Sequence, residues 1–457
     1  MRLSALLLSF LLAGQAGALG SSLYPDLMEF DEALRLYQAG DLERARRGFR
    51  HLAELGDPEA QLNLGVMLVK GEGGAEDSIE GAAWIRWAAE SGAAGAQQVL
   101  PVVEGRLDEA GLADAQATLT DLRAAHGLEN LVHVDDPVAR KCEAEEWFRP
   151  APEYPHGAAL AGRLGYVRAY FFIDPEGNLH AAQAMEGMYR DDPFGPAAEK
   201  VLPRWNVPLC GKNRYRFTFQ TIDFNLVDGH TPELRQTVAE ITAAARNGDP
   251  GMSYVAGLLG DSMEGLFALD PGEREQLLLS AAVAGRADAR YGLSFALQSR
   301  DHRNRWVLLA ARQGYAPSLL ELYTRRSVPD DTRLLALLQA ADSGFVPAVW
   351  MAVAHLSAHP DEAQRDGDRA LELIDAFGNR ERARMRNDTS LREAHAMALA
   401  ETGQFRQAAQ LQRRVVSAAR RLGRDTTRAE ARLARYVANE PWRDPLLDGG
   451  FGTADDH

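Results

Sequence analysis

The sequence predicts an α+β protein of several domains, in which solenoid-like arrays of short helices flank one small module built on a three-stranded antiparallel sheet. Three observations predict it. Only residues 142–224 carry the β-branched and aromatic runs and the period-two alternation expected of strands. On both sides of that stretch, alanine-rich helix ends run into glycine at recurring spacings, as stacked helix pairs do. Finally, 457 residues with 46% hydrophobic content supply core for about two to four domains. The expected boundaries are 1–18 for a signal peptide, 19–128 for N-terminal helical repeats, 129–228 for the sheet module, 229–445 for C-terminal helical repeats and 446–457 for a disordered tail.

Taken in order, residues 1–18 have the form of a cleavable secretory signal. Arg2 supplies the basic start, residues 3–12 the apolar run, and Ala16 and Ala18 the small residues of a cleavage site, so the cut is expected after Ala18. The apolar run is shorter than the roughly 20 residues a membrane helix needs, and no other stretch is apolar enough to span. Export to the periplasm or beyond is the expectation. Next, Ala33, Gly40, Ala45 and Phe49 sit at the offsets of a helical pair. A clearer unit follows, carried by Ala60, Leu64, Gly65, Gly71, Gly73, Trp84, Ala88, Ala89 and Gly92. Gly56 and Gly92 are 36 residues apart, as are Ala60 and Ala96. Small residues let two antiparallel helices approach closely, with Leu64 and Trp84 filling the space between them. The pattern resembles the Sel-one-like repeat, a relative of the tetratricopeptide repeat. That resemblance implies a protein-binding solenoid. Residues 102–127 read as one further helical segment.

In the sheet module, residues 166–173 form a strand, 174–177 a turn and 178–185 the returning strand. Asp192 reads as an N-cap with Pro193 at the first helical position. Phe194, Ala197, Ala198, Val201 and Trp205 then recur at helical spacing. The segment Arg214, Tyr215, Arg216, Phe217, Thr218, Phe219 and Gln220 alternates strictly, which places Tyr215, Phe217 and Phe219 inward and the arginines, Thr218 and Gln220 outward. Tyr154 and Trp205 read as core. Both cysteines, Cys142 and Cys210, belong to this stretch, and an even count in an exported chain suggests a disulfide that would add about 4 kcal/mol by loop closure.

The wording of the module resembles the C-terminal domain of TonB-type energy transducers. The matching residues are Glu153, Tyr154 and Pro155; Gly165, Tyr166 and Val167; Phe172, Ile173, Asp174 and Gly177; and Phe194, Ala197, Ala198 and Trp205. They cover roughly 75 of the 457 residues. The resemblance implies a periplasmic protein-binding module without catalysis, whose last strand, here Arg214 to Gln220, pairs with an extended partner peptide. Ala151 stands where the family often has glutamine, which argues against the usual outer-membrane transporter as partner. A signal and helical repeats replace the family's membrane anchor and proline-rich spacer. The expected role is therefore a recognition scaffold, with an energy transducer or accessory in outer-membrane transport as the alternative.

After the module, Gly248, Gly285, Gly314 and Gly344 each follow an alanine-rich helix end, at separations of 37, 29 and 30 residues. They resemble degenerate Sel-one-like repeats. Ala396, Leu399, Gly403, Phe405 and Ala408 have tetratricopeptide offsets, which implies a helical hairpin running to about Leu422. Residues 427–437 form a further amphipathic helix that caps the array, and the tail beyond 448 is too polar to fold.

Charge and motif content narrow the function. A net charge of −15 argues against nucleic acid for the molecule as a whole. Yet residues 378–443 hold 15 arginines, no lysine and 7 acidic residues, a local excess of 8 positives. That region is either a surface for an anionic envelope polymer, peptidoglycan included, or a set of solvated helix faces. There is no phosphate-binding Gly-rich loop, no nucleophile elbow and no His-Glu-x-x-His zinc motif. His355 and His359 stand one helical turn apart, but without a partnering carboxylate, and Pro360 ends the helix. Asp191 and Asp192 are adjacent, so capping explains them better than a catalytic pair. The expected function is a non-enzymatic exported scaffold without cofactor or metal, binding envelope proteins or an extended peptide.

Overall fold

The computed structural model describes residues 24, 26–131, 149–161, 163–185, 187, 192–205, 214–224, 232–260, 263–270, 272–325 and 327–447. Short helices aside, the chain order begins with α1 (Phe30–Gln38), α2 (Leu42–Glu54), α3 (Pro58–Lys70), α4 (Ser78–Glu90), α5 (Ala96–Glu104) and α6 (Glu109–His126). Then come β1 (Gly165–Ile173), β2 (Leu179–Met185), α7 (Phe194–Val201) and β3 (Arg216–Phe224). The remaining helices are α8 (Pro232–Arg246), α9 (Pro250–Leu259), α10 (Glu273–Val283), α11 (Ala287–Ser294), α12 (Arg300–Arg312), α13 (Ala316–Thr324), α14 (Asp330–Asp342), α15 (Val346–Ala358), α16 (Gly367–Arg380), α17 (Thr389–Glu401), α18 (Phe405–Arg421) and α19 (Thr427–Val437). Among the described residues, no helix is long and apolar enough to cross a membrane.

Contacts gather the chain into two compact units, and each draws on two separate stretches of sequence. One combines residues 1–134 with 239–313, the other 135–238 with 314–457. Each unit thus has an early and a late part.

In the first unit, α3 and α4 form the helix pair that the 36-residue spacing predicted. Asp57 caps α3 by accepting the Ala60 amide at 3.0 Å, with Pro58 in the first turn. Leu64 and Trp84 are fully buried between the helices. The close approach depends on Gly65, where an added Cβ would lie 2.6 Å from Ile85 Cγ1 and 2.8 Å from the Gly81 carbonyl oxygen. Where one segment was expected over 102–127, the chain breaks between Glu104 and Glu109. Asp108 starts α6 afresh by accepting the Gly111 amide at 2.8 Å. The late part of this unit is tied to its early part by ion pairs. Arg290 grips Glu29 with bonds of 2.6 and 2.8 Å, Arg305 reaches Glu54 at 2.6 Å, and Arg312 reaches Glu32 at 2.9 Å.

The second unit holds the sheet, in the order β2-β1-β3, with both pairings antiparallel. The hairpin turn is where the sequence placed it: the Asp174 side chain accepts the Glu176 and Asn178 amides at 3.0 and 2.8 Å, and Gly177 takes φ 83°. Asp192 holds the start of α7, accepting the amides of Phe194 and Gly195 at 3.0 and 2.9 Å, although Pro193 occupies the cap position itself. One sheet face packs Val167, Ala169, Phe171 and Ile222 on Phe194, Ala198 and Trp205, with Tyr154 at the margin. Tyr154 and Trp205 are thus packing residues, as expected.

The other face is covered as well. Opposite residues share a face in an antiparallel ladder, and Tyr170↔Phe219 and Phe172↔Phe217 are such pairs. Tyr170 meets Phe345 at 5.7 Å between ring centroids, and Phe172 and Tyr215 meet Trp350 of α15 at 5.4 and 5.6 Å. The sheet is therefore a middle layer between α7 and the late helices of its own unit. Those late helices repeat a turn that the sequence singled out. Gly344 and Gly403 end their helices at φ 85° and 78°, the left-handed region that favours glycine. The hairpin of α17 and α18 and the helix α19 follow the predicted segments, with Ala396, Ala400, Ala408 and Tyr436 in one core.

Candidate functional site

The candidate site is β3 together with the polar ground beneath the β1–β2 turn. β3 makes nine consecutive pairings with β1, from Gly165↔Phe224 to Ile173↔Arg216. Among the described residues no strand pairs its other side. Of the residues proposed for strand recognition, Arg214 and Tyr215 precede the strand, while Arg216, Phe217, Thr218, Phe219 and Gln220 form its first half. The expected division into an inner and a solvent face does not hold. Arg216, Thr218 and Gln220 are half-buried on the α7 side, and burial lowers the Arg216 pKa. The alternation in the sequence was real, but it separated two packed faces.

Tyr215 leads into a network that the sequence could not show. Its hydroxyl is buried and donates to Asp444 Oδ2 at 2.8 Å, and Arg428 holds the same carboxylate at 2.7 and 2.8 Å. Beside them, His180 of β2 lies 2.8 Å from Asp174 Oδ2 and 3.5 Å from Glu393 Oε2, with its ring stacked on Trp350 at 5.1 Å. Glu393 in turn pairs with Arg432, both almost fully buried. Burial pushes the Asp174 carboxyl up, but the hydrogen bond and charge of His180 and the Asn178 donors outweigh it and hold the carboxyl at about 2. Both ring nitrogens of His180 face carboxylates, and no hydroxyl or thiol among the described residues is hydrogen-bonded to it. Chemically the cluster fastens the hairpin turn to α17 and α19, and Ser390 adds to this by accepting the Ala181 amide at 2.9 Å. Sequence reasoning missed it because its members stand about 200 residues apart. The one local signal was a cluster of polar residues around a predicted turn.

The other residues considered from the sequence fall as follows. Cys142, Cys210 and Asp191 lie outside the described residues. His355 and His359 are buried and individually engaged: Tyr323 hydrogen-bonds His355 Nδ1 at 2.8 Å, and His359 Nδ1 accepts the Asp361 amide at 3.1 Å. Among the described residues, no three histidine, cysteine or acidic side chains gather as a metal site would require. Of the arginine-rich stretch, Arg384, Arg428, Arg432 and Arg443 are spent on Glu199, Asp444, Glu393 and Glu401 within the unit. That part of the local positive excess is internal structure, and a smaller set of arginines near the end of α18 remains for the surface.

Compared with protein-family profiles and with curated sequences, the chain has no match. Among solved structures it is similar to a protective antigen of uropathogenic Escherichia coli that displays an SLR fold, at 14% identity over 91% of this chain and 73% of that one, with a TM-score of 0.34. It is also similar to a Sel1 repeat protein from Oxalobacter formigenes, at 16% identity over 85% of this chain and 88% of that one, again with a TM-score of 0.34.

Proposed function

We propose that this protein is a non-enzymatic, exported interaction scaffold, in which helical repeats hold a TonB-C-like sheet module whose last strand takes up an extended segment of a cell-envelope protein. The observation that carries the reading is β3, paired along its whole length on one side and without a strand partner among the described residues on the other. An edge of this kind accepts an added strand through main-chain hydrogen bonds. The rigid backing matters too, because a strand clamped on both faces is pre-organised and loses little entropy on pairing. Support for export comes from the signal-like residues 1–18.

The test is site-specific photocrosslinking in the native host, with the photoreactive residue placed at Thr218, Gln220 or, as a control on a helix of the other unit, Gln116. The expected outcome is one envelope protein joined from both strand positions through a single short segment, and nothing from Gln116. Crosslinks from Gln116 alone would move recognition to the helical repeats.

A further inference from the structure

Three arginines converge on a groove for which the strand-binding reading has no use. The groove has a volume of about 480 Å³ and lies between the β1–β2 turn, the residues that follow α7, and the loop joining α18 to α19. That volume falls within the range of small-ligand sites. Arg204 and Arg421 are exposed beside it, and Arg424 is half-buried. Their donors are largely unspent. Arg421 bonds only the Ser417 hydroxyl, at 2.9 Å, and Arg204 has no hydrogen bond or ion pair among the described residues. Arg424 gives one bond of 2.7 Å to the Pro203 carbonyl, while its Nε is buried without a partner. Neighbouring Arg420, by contrast, is paired with Glu430 at 2.7 Å.

Against its three arginines the groove holds two acidic residues, Glu176 and Asp425, which leaves an excess of one positive charge. Glu176 turns toward Arg428, 3.8 Å away, and Asp425 accepts the Thr427 amide at 2.7 Å. Trp205 and Leu422 supply an apolar wall, with Leu422 38% exposed. The groove runs on into a cavity of about 30 Å³, with Glu176, Asn178, Arg424 and Asp425 lining both. That space is enough for a water. At this inner end Arg432 Nε is buried without a hydrogen-bond partner, while Glu393 Oε2 has only His180 Nδ1 at 3.5 Å and Arg428 Nε only Glu176 Oε2 at 3.8 Å, both beyond good hydrogen-bond length. Buried charged atoms whose hydrogen-bonding capacity is unfilled in this way call for a bound water or a ligand group. Guanidinium forks match the geometry of carboxylate and phosphate oxygens.

We propose that this groove is an oxyanion site, in which the carboxylate or phosphate of a small ligand is held by Arg204, Arg421 and Arg424, with its apolar part against Trp205 and Leu422. The site stands independently of strand capture by β3. Its test is calorimetric titration of the full chain at constant ionic strength with three probes: inorganic phosphate, acetyl-trialanine with a free carboxylate, and the same peptide as its amide. The variants are Arg421→Gln and Arg204→Gln, both exposed, with Arg413→Gln on the same helix as a charge-matched control. Saturable one-to-one binding of phosphate, of the carboxylate or of both is expected, with the amide silent. Each groove variant should weaken it about tenfold, as loss of a charge-assisted bond does, and the control should not. Phosphate alone or carboxylate alone would assign the ligand's anionic group. The proposal is overturned if neither probe saturates, or if Arg413→Gln weakens binding as much as the groove variants do, since the attraction would then be diffuse charge.

Discussion

Two buried aspartates show how single residues give the units opposite responses to pH. Asp57 caps α3 but sits 7% exposed, and burial raises its pKa to about 6 despite the amide bonds it accepts. A carboxyl whose folded pKa is above its unfolded value stabilises fully below about pH 4, and that contribution is lost as pH rises through about 6. Asp174, held at about 2, does the reverse. Its contribution is present above about pH 4 and is lost as pH falls toward 2. Asn caps a helix as well as Asp does. Asp57→Asn should therefore raise stability at pH 7 by about 1–3 kcal/mol and flatten the slope between about pH 4 and 6, as read from denaturant midpoints. Destabilisation at pH 7 would show that the charge at Asp57 is needed. Asp174→Asn should instead leave that window alone and blunt the acid limb below about pH 4.

At the scale of elements, the pairing of α3 with α4 rests on the absence of a side chain. An added methyl at Gly65 meets backbone at Gly81 and cannot be relieved by a rotamer change. Gly65→Ala should cost about 1–3 kcal/mol, the usual range for overpacking a well-filled contact, measured by urea unfolding. A neutral result would mean that the helices can separate cheaply. This element was legible in the sequence because its signals are local: a 36-residue spacing, an Asp-Pro start and small residues at the crossing. The hairpin turn at Asp174 and the helix over residues 427–437 were legible for the same reason. The faces of β3 were not. Period-two alternation reports that neighbouring residues point to opposite sides, and it cannot say that the second side meets Phe345 and Trp350, more than 120 residues later. Nor could any spacing rule join Asp174 and His180 to Glu393 and Arg432.

For the molecule as a whole, the consequence is that the sheet module is not a separable bead. Residues 129–228 alone would expose Tyr170, Phe172, Tyr215 and Phe217 and would remove Glu393 from His180 and Asp444 from the Tyr215 hydroxyl. Large apolar patches of that kind promote association. Expressed alone, the fragment should aggregate or remain unfolded by circular dichroism. A cooperative, soluble fold for this fragment would contradict the packing described. Within the second unit the sheet and the helices α14 to α19 pack as one body, with β3 at the edge of the sheet.

The most direct measurement of that claim is residue-resolved amide hydrogen exchange along β3 in the free protein. In an antiparallel edge strand alternate amides point toward the neighbour and the rest point away. The account predicts alternating protection across residues 216–224: slow exchange for amides bonded to β1, fast exchange for those on the open side, and protection of the fast set when an envelope partner is bound. Uniform slow exchange in the free protein would contradict it, because the edge would then already be covered and unable to receive a strand.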